Sequence, residues 1–474
     1  MKRIAIFFGL LLAACTTPSY PGIDNPSHNP NNTLDKQIIA YIDQRLEEEY
    51  YWLDEVQQKS YKFDREYKKW NEYLASSLNM LTTNTDDGYV KSNGQRSFYS
   101  YISEYQTSTR ASVSGFGILL HYTILVSNDG NNYYFAIDHV YPGSPAEKAG
   151  IKRGDMITKI DGSYITSGNY SSYFTALQNN TKASMTFKLL RQTTNENFDV
   201  ELSRGQYDAS PVAHYEIIEE GGIKIGYLVY TSFDKEYDEH LLAALQTLAS
   251  EGAEEVILDL RINRGGSVNS AAVLCSALMP ATMEDSTLCT LVRNPNNKRI
   301  QQGSTFNLKD TGAIFSLNRL TVICSGYSAS ASELVVMGLR GLDVPVALIG
   351  AQTEGKNCGM DVTRKSIQGK DLEFAPITFM CFNAKGSGDW GEGILPDVDL
   401  KQENEYGLHD GNYPMPRADW GDVQHDIALN VAIAKLTGRS ATTATRAVEV
   451  LEPAPTLSLE NPLLGMRLYG NDGE

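Results

Sequence analysis

The chain has 474 residues, with 41 Lys and Arg against 58 Asp and Glu, which gives a formal net charge of −17 at pH 7. A surface this acidic repels nucleic acids and anionic lipid, so the composition argues against a polyanionic partner. The length alone predicts roughly three domains. Six cysteines are widely scattered and no two have the spacing of metal ligands, so we expect no disulfide framework and no cysteine metal site. The sequence as a whole implies no metal or organic cofactor.

The first residues have the layout of a secretory signal. Met1-Lys2-Arg3 is a short basic start, and the apolar run over 4–14 is too short to span a bilayer. It ends in Leu12-Ala13-Ala14-Cys15, which resembles a bacterial lipobox, so we expect residues 1–14 to be removed and Cys15 to be lipidated. The protein would then be anchored in the cell envelope, at an outer membrane, facing the periplasm or the surface. The alternative is an ordinary signal peptide with an incidental cysteine.

The next two segments carry no predicted chemistry. Residues 15–33 are rich in Pro, Asn, Ser and Thr, which predicts a flexible tether. From Leu34 to Leu53 and from Trp70 to Leu81, apolar residues recur at helical spacing and predict a small helical region over 34–105. We interpret its aromatic residues as core.

Residues 112–205 change to short apolar runs separated by Gly and Asn turns, a pattern typical of strands. The segment Val140 to Ile151, followed by Gly154-Asp155-Met156-Ile157, resembles a PDZ domain of the bacterial protease type. The resemblance implies that Gly115, Phe116, Gly117 and Ile118 offer backbone N–H groups to a peptide C-terminus, which adds as a strand beside the domain's edge. A PDZ fold that packs against its neighbour and binds nothing is the alternative.

Between 206 and 436, strands alternate with helices, which predicts an α/β layer with a largely parallel sheet. A buried strand over 256–261 ends at Asn263-Arg264-Gly265-Gly266, and a helix follows from Val268 to Leu278. Glycines in that position let backbone N–H groups face a reacting carbonyl. By itself such a turn is usually only a tight turn.

A serine-rich stretch lies at the next junction of strand and helix. The strand Leu320 to Cys324 runs into residues 325–332, which include four serines, and then into a helical pattern. Unpaired N–H groups at a helix start can hold a developing oxyanion. Histidines lack the local setting of a base here, whereas the following strand ends at a Gly-rich turn that carries Lys356. A lysine base is therefore indicated.

These motifs occur in an order that resembles the tail-specific, or C-terminal processing, peptidases. The Asp259–Gly266 segment, the Ser328–Glu333 run, Gly350 to Lys356 and Gly391 to Asp397 carry the resemblance, which covers roughly residues 100–400 together with the PDZ-like region. It implies a serine endopeptidase that acts on proteins or peptides and recognises their C-termini.

The resemblance assigns the nucleophile to Ser330 and the general base to Lys356, with an oxyanion hole from Gly265 or Gly266 and from Ala331. A neutral lysine is needed to accept the serine proton, so its pKa must fall from about 10.4 to near 7, and burial beside apolar strands can cause such a fall. We interpret Ser328 and Ser332 as helix-capping hydroxyls.

Two departures from the family pattern matter. The spacing from Ser330 to Lys356 is one residue longer than is usual, and Met360 stands where many relatives carry a glutamine that orients the lysine. Asp361 is the candidate replacement. The rival hypothesis is a non-catalytic PDZ-containing lipoprotein that binds peptides as an adaptor, and a weaker third is a small-ligand binder or hydrolase on the same fold.

The predicted architecture is an α/β multidomain protein: a helical N-terminal region, a β-rich PDZ-like domain and an α/β catalytic domain. Residues 437–474 are expected to form a loosely held tail. The substrate and the oligomeric state are left open.

Overall fold

The computed structural model describes residues 33–439 except 68, 91–93, 95, 106–112, 121–123, 127–130, 179–181, 192–193, 301–302, 310–312 and 401–417, and also residues 452–453 and 466–469. The predicted signal peptide, Cys15 and nearly all of the tether lie outside the described residues. No helix among the residues described is long and apolar enough to cross a membrane.

The N-terminal region is only partly helical. The described residues within 89–104, predicted as part of the helical region, include three short strands instead, and the third pairs with a strand of the catalytic region, with Tyr101 opposite Ala375. The helical spacing ends near residue 81, so the later strands had no periodic signal of their own. The elements are α1 (Thr33–Glu49), α2 (Leu53–Lys59), α3 (Trp70–Leu78), β1 (Tyr89–Val90), β2 (Arg96–Ser97) and β3 (Tyr101–Glu104).

The PDZ-like region is a small sheet with two helices. Its main sheet has the order β12-β11-β9-β7-β6, and its first and last strands, β4 and β13, pair with each other with Gly115 opposite Gly205. The elements are β4 (Val113–Gly115), β5 (Ile118–Leu119), β6 (Ile124–Val126), β7 (Tyr133–Ala136), β8 (His139–Val140), α4 (Pro145–Lys148), β9 (Asp155–Ile160), β10 (Ser163–Tyr164), α5 (Tyr170–Gln178), β11 (Ser184–Arg191), β12 (Glu196–Ser203) and β13 (Gly205–Tyr207).

The catalytic region contains two sheets. The first has six strands in the order β14-β15-β16-β19-β20-β24, parallel except for the β14–β15 pair, as the alternation of strands and helices predicts. The elements are β14 (Val212–Glu220), β15 (Ile223–Tyr230), α6 (Asp238–Ser250), β16 (Glu255–Asp259), α7 (Val268–Leu278), β17 (Thr287–Arg293), β18 (Gly303–Asn307), β19 (Leu320–Cys324), α8 (Ala331–Gly341), β20 (Val346–Gly350), β21 (Cys358–Ile367), β22 (Lys370–Ala375), β23 (Ile377–Asn383), β24 (Val398–Asp399) and α9 (Ile427–Thr437).

The second sheet joins the N-terminal and catalytic regions. Its order is β18-β17-β23-β21-β22-β3, so β3 forms one edge of it, and a late strand, β26 (Met466–Tyr469), pairs with β21. Another late strand, β25 (Glu452–Pro453), pairs with β6 of the PDZ-like sheet. Side chains of α1 to α3 share one apolar core with β21 to β23.

Both faces of the parallel sheet are covered, which accounts for the near-continuous apolar character of its strands. Alternate residues of each strand point to opposite faces: Leu228 and Leu258 pack with α6 to α8, and Tyr227 and Ile257 pack with α9. The polar candidate site residues therefore lie in the turns that follow the strands, rather than within the strands.

A short segment before α9 connects the PDZ-like region to the catalytic core. The ring of Trp420 lies between two guanidinium groups: Arg153 of the PDZ-like region has its Cζ 3.9 Å from the ring centroid, and Arg261, just beyond β16, has its Cζ 5.4 Å away. The indole N–H donates to Nδ1 of His139 at 3.2 Å. We call this contact the Trp420 clasp.

Candidate active site

Three chain segments converge at the carboxyl ends of adjacent parallel strands. β16, β19 and β20 lie side by side, with Asp259 opposite Ile323 and Cys324 opposite Gly350. In open α/β sheets this edge is where ligand sites form. The Gly265-Gly266 turn follows β16, the serine stretch follows β19, and the turn with Lys356 follows β20.

Ser330 has a strained backbone and a buried, unpartnered hydroxyl. It occupies the N-cap of α8 with φ 61° and ψ −110°, a conformation that a residue with a Cβ rarely adopts. Its side chain is fully buried, and within the described part of the chain its Oγ makes no hydrogen bond of normal geometry. Strain together with an unsatisfied hydroxyl is typical of a reacting group rather than of a structural serine.

The neighbouring serines serve a different purpose. Ser325 Oγ donates to the carbonyl of Arg261 at 2.5 Å, and Ser328 Oγ donates to the carbonyl of Leu260 at 2.8 Å. Ser332 Oγ donates to the carbonyl of Asn263 at 2.9 Å. The expectation that Ser328 and Ser332 cap the helix is wrong, because their hydroxyls fasten the serine turn to the chain that leads to the glycine pair.

The glycine turn packs directly against the serine turn. Gly265 has φ 97°, and a Cβ added there would lie 2.8 Å from Ser330 Cβ and 2.9 Å from Ala331 N. The Gly265 N–H is engaged by Asn263 Oδ1 at 2.9 Å, whereas the N–H groups of Gly266 and Ala331 make no hydrogen bond to the residues described. Of the alternatives left open, Gly266 together with Ala331 fits an oxyanion hole better than Gly265 does.

Lys356 is buried beside the serine turn. Its side chain is 1% exposed, and its Nζ lies 3.9 Å from the ring centroid of Tyr99. Tyr99 belongs to the N-terminal region, to which the sequence assigned no chemistry. A buried lysine at this position matches the predicted general base, and that role remains a prediction.

A buried carboxylate, that of Glu333, connects the backbones of Ser330 and Lys356. Oε2 of Glu333 accepts the N–H of Ser330 at 2.7 Å and the N–H of Lys356 at 2.8 Å. Its Oε1 accepts the Thr353 hydroxyl at 2.5 Å and the Gly355 N–H at 2.8 Å. Burial raises the pKa of Glu333 to about 7, although the four donors oppose the rise.

Sequence reasoning named Glu333 only as the end of the serine run. The spacing of Ser330 and Glu333 is that of a capping box, in which the carboxylate of the third residue binds the N-cap N–H, and this signal would have identified the contact. The bonds to residues 353–356 come from a separate strand end and leave no such signal.

The hypothesis that Asp361 orients Lys356 in place of a glutamine is wrong. The carboxylate of Asp361 accepts two hydrogen bonds from Arg293, at 2.8 and 2.9 Å, and one from the Thr378 hydroxyl at 2.7 Å. Met360 is fully buried in the core shared by the N-terminal helices and the second sheet.

The predicted peptide-binding loop of the PDZ-like region is held in place by its own backbone. The carbonyl of Phe116 accepts the N–H of Ala146 at 3.0 Å, and that of Gly117 accepts the N–H of Tyr141 at 3.0 Å. Gly115 ends β4, and Ile118 begins β5, which pairs with β8. Peptide binding by these residues remains a prediction.

Among the residues described, no group of His, Cys, Asp and Glu side chains is arranged to hold a metal ion. A strained serine at a helix start, backbone donors without a partner among the described residues and a buried lysine converge here, which is the arrangement that a serine-type hydrolase requires.

Comparison with known proteins gives the family. Residues 224–400 match the model of peptidase family S41, and residues 137–191 match that of a PDZ domain. The catalytic region of this chain is therefore similar to the S41 peptidases, and the region before it is similar to a PDZ domain.

Individual relatives agree with this assignment. The chain is 25% identical over 342 residues to a CtpA-like serine protease of Staphylococcus aureus (strain bovine RF122 / ET3-1), covering 72% of this chain and 64% of that protein. It is 24% identical over 254 residues to chloroplastic carboxyl-terminal-processing peptidase 1 of Arabidopsis thaliana, covering 53% of this chain and 49% of that protein. The matches thus span about half to two thirds of these relatives. The fold is similar to that of an S41 protease from Bacteroides fragilis NCTC 9343, with a TM-score of 0.63, 22% identity, and coverage of 84% of this chain and 97% of that one.

Proposed function

We propose that this protein is a serine endopeptidase that cleaves proteins or peptides through a dyad of Ser330 and Lys356. The observation that carries the proposal is the state of Ser330: a strained N-cap whose buried hydroxyl donates no hydrogen bond to the part of the chain that the structure describes, tied through Glu333 to the backbone of Lys356. Burial of a hydroxyl without a hydrogen bond lowers the free energy of unfolding, so such a group is expected where it takes part in a reaction.

The reaction follows from the arrangement. Neutral Lys356 accepts the proton of the Ser330 hydroxyl as Oγ attacks the scissile carbonyl, and the N–H groups of Gly266 and Ala331 stabilise the oxyanion. The lysine ammonium then gives its proton to the departing amine as the C–N bond breaks. Water, deprotonated by Lys356, hydrolyses the ester on Ser330 and restores the dyad.

Substrate choice and location complete the proposal. The PDZ domain would capture an unstructured C-terminus at residues 115–118, by strand addition and capture of the carboxylate. Lipidation of Cys15 would anchor the protein in the bacterial envelope, at an outer membrane. An acidic surface supports anchoring by lipid rather than by charge.

The test uses the chain without residues 1–15 and an unfolded protein as substrate. We expect wild type to cleave it and Ser330→Ala to lose at least about a thousandfold in kcat, while Ser328→Ala, the matched control, retains measurable activity. Equal cleavage by wild type and Ser330→Ala would rule out Ser330 as the nucleophile. If the wild-type protein cleaves no substrate but binds a peptide through its PDZ domain, the result would favour the hypothesis of a non-catalytic adaptor.

A further inference from the structure

One wall of the lysine pocket comes from the N-terminal region. The segment from Asp87 to Tyr99 lies before the PDZ domain and outside both regions that match family models. Its contacts with the catalytic region are specific: the Cys358 thiol donates to the carbonyl of Asp86 at 3.3 Å, and the N–H of Ile377 donates to Ser100 Oγ at 2.9 Å. These bonds hold Asp86 against the start of β21, two residues beyond Lys356, and Ser100 against the start of β23.

Asp87 is a buried carboxylate that accepts four hydrogen bonds. They come from the Tyr50 hydroxyl at 2.6 Å, from the Ser100 hydroxyl at 2.7 Å and N–H at 2.9 Å, and from the Tyr99 N–H at 3.1 Å. Burial raises the pKa of Asp87, and these donors and the nearby charge of Lys356 counteract the rise. Four donors satisfy an ionised carboxylate, so Asp87 fixes the backbone of Tyr99 while placing a negative charge close to the lysine.

Tyr99 connects the lysine with the serine turn. The face of its ring receives Lys356 Nζ at 3.9 Å, which is within the range of a cation–π contact. Its hydroxyl donates to Glu354 Oε1 at 3.3 Å, and the Glu354 N–H donates to the carbonyl of Ser328 at 3.0 Å. Burial and the charge of Glu354 raise the pKa of Tyr99 far above neutrality, so the ring stays uncharged.

We propose that Tyr99 and Asp87 are positioning residues of the catalytic lysine: the ring of Tyr99 holds the ammonium on its face, and Asp87 fixes the backbone of Tyr99. The inference rests on the proposed function and adds a part of the chain to it. The ring and the carboxylate favour the charged lysine, so they set both its position and the pH at which it becomes a base.

The expected direction follows from the charges. Removal of the ring face or of the Asp87 charge destabilises the ammonium, so Lys356 loses its proton at lower pH. Two other titratable groups lie near the lysine: the Cys358 thiol of β21, on whose pKa the Lys356 charge acts, and Glu333 of α8, which accepts the Lys356 N–H and whose pKa burial raises to about 7. Replacement of Tyr99 by leucine keeps an apolar side chain and alters no charge. A shift of the pH profile in this variant would therefore report the pKa of Lys356 rather than that of Cys358 or Glu333.

The experiment measures how fast a fluorophosphonate reacts with Ser330 across pH 5–10, a readout that needs no known substrate. Tyr99→Leu should shift the acid limb of this profile down by about one pH unit, and should lower the limiting rate about tenfold or more through misplacement of the base. Tyr99→Phe keeps the ring face and should remain near wild type. Asp87→Asn should shift the limb in the same direction as Tyr99→Leu.

The matched control is Tyr41→Leu. Tyr41 is an equally buried tyrosine of the N-terminal region, and its ring packs 5.9 Å from that of Phe374. This variant should lower the melting temperature without moving the pH profile. Superimposable profiles for wild type and Tyr99→Leu, or an equal shift in Tyr41→Leu, would overturn the inference while leaving the Ser330 reaction intact. A wild-type protein that neither reacts with the reagent nor cleaves protein would overturn the proposed function, and the inference with it.

Discussion

The side chain of Glu333 connects several backbone groups of the candidate site. Its carboxylate accepts four hydrogen bonds, two of which come from the backbone N–H groups of the proposed nucleophile and base. An acid whose pKa rises from 4.5 in the unfolded chain to about 7 in the folded protein binds its proton more tightly when folded. Its stabilising effect is therefore fully present below pH 4.5 and is lost as the pH rises through 7.

Glu333→Gln tests this titration. Glutamine carries no charge at any pH, so the unfolding free energy of wild type relative to the variant should fall between pH 5 and pH 8, by on the order of 3 kcal/mol at most. Denaturant unfolding at the two pH values measures the difference. Parallel stability curves for the two proteins would show that Glu333 does not titrate in this range.

At the scale of secondary structure, the close approach of two turns is the critical feature. The Gly265 turn after β16 and the Ser330 turn before α8 leave no room for a Cβ between them, and the serine hydroxyls fasten them together. Gly265→Ala should reduce kcat by more than about a hundredfold, because the methyl group displaces Ser330, the proposed nucleophile, by a fraction of an ångström or more.

Gly252→Ala is the control for that prediction. Gly252, just after α6, also has a positive φ, 88°, but an added Cβ would meet only the Lys224 side chain at 3.6 Å. Both variants should lose roughly 1–2 kcal/mol of unfolding free energy from backbone strain, and only Gly265→Ala should lose activity. Full activity in Gly265→Ala would mean that the two turns can separate without consequence.

Some of these helices and strands could be predicted from the sequence and others could not. The helix over Val268–Leu278 and the strand over Leu320–Cys324 have the predicted bounds, since their periodicity is strong and their flanking turns are rich in Gly and Ser. Strand β3, with four residues, carries too short a pattern to recognise. Its pairing with β22, and with it the placement of Tyr99 beside Lys356, depends on contacts between residues more than 250 positions apart, which local patterns do not contain.

Among the serines of residues 325–332, only the resemblance to tail-specific peptidases identified Ser330 as the candidate nucleophile, and it gave no physical reason. That reason lies in tertiary contacts: the other hydroxyls donate to carbonyls near the end of β16, and the hydroxyl of Ser330 does not. The failure of Asp361 as the orienting residue has the same origin, because its partner Arg293 lies on a distant strand.

At the scale of the whole molecule, the Trp420 clasp restrains the PDZ domain relative to the active site. If the PDZ loop holds a substrate C-terminus, a fixed span to Ser330 would set how far from that end the chain is cut. Trp420→Ala should broaden the distribution of cleavage positions counted from the C-terminus, as read by mass spectrometry of the products.

Trp420→Phe is the matched variant, since it keeps a flat ring beside Arg153 and loses only the bond to His139. Its product distribution should stay closer to that of wild type. Identical distributions for wild type and Trp420→Ala would show that the clasp does not restrain the span.

The pairing of β3 with β22 and of β4 with β13 has a consequence for how the chain is organised. The catalytic body is discontinuous: it begins before the PDZ domain and resumes after it, so the recognition domain is an insertion that enters and leaves through a two-stranded neck. We expect such an insertion to be exchangeable with little effect on the surrounding sheets, whereas loss of the segment before it would remove β3 from the second sheet. The segment before the PDZ domain, which lies outside both regions that match family models, thus completes the second sheet and brings Tyr99 to Lys356.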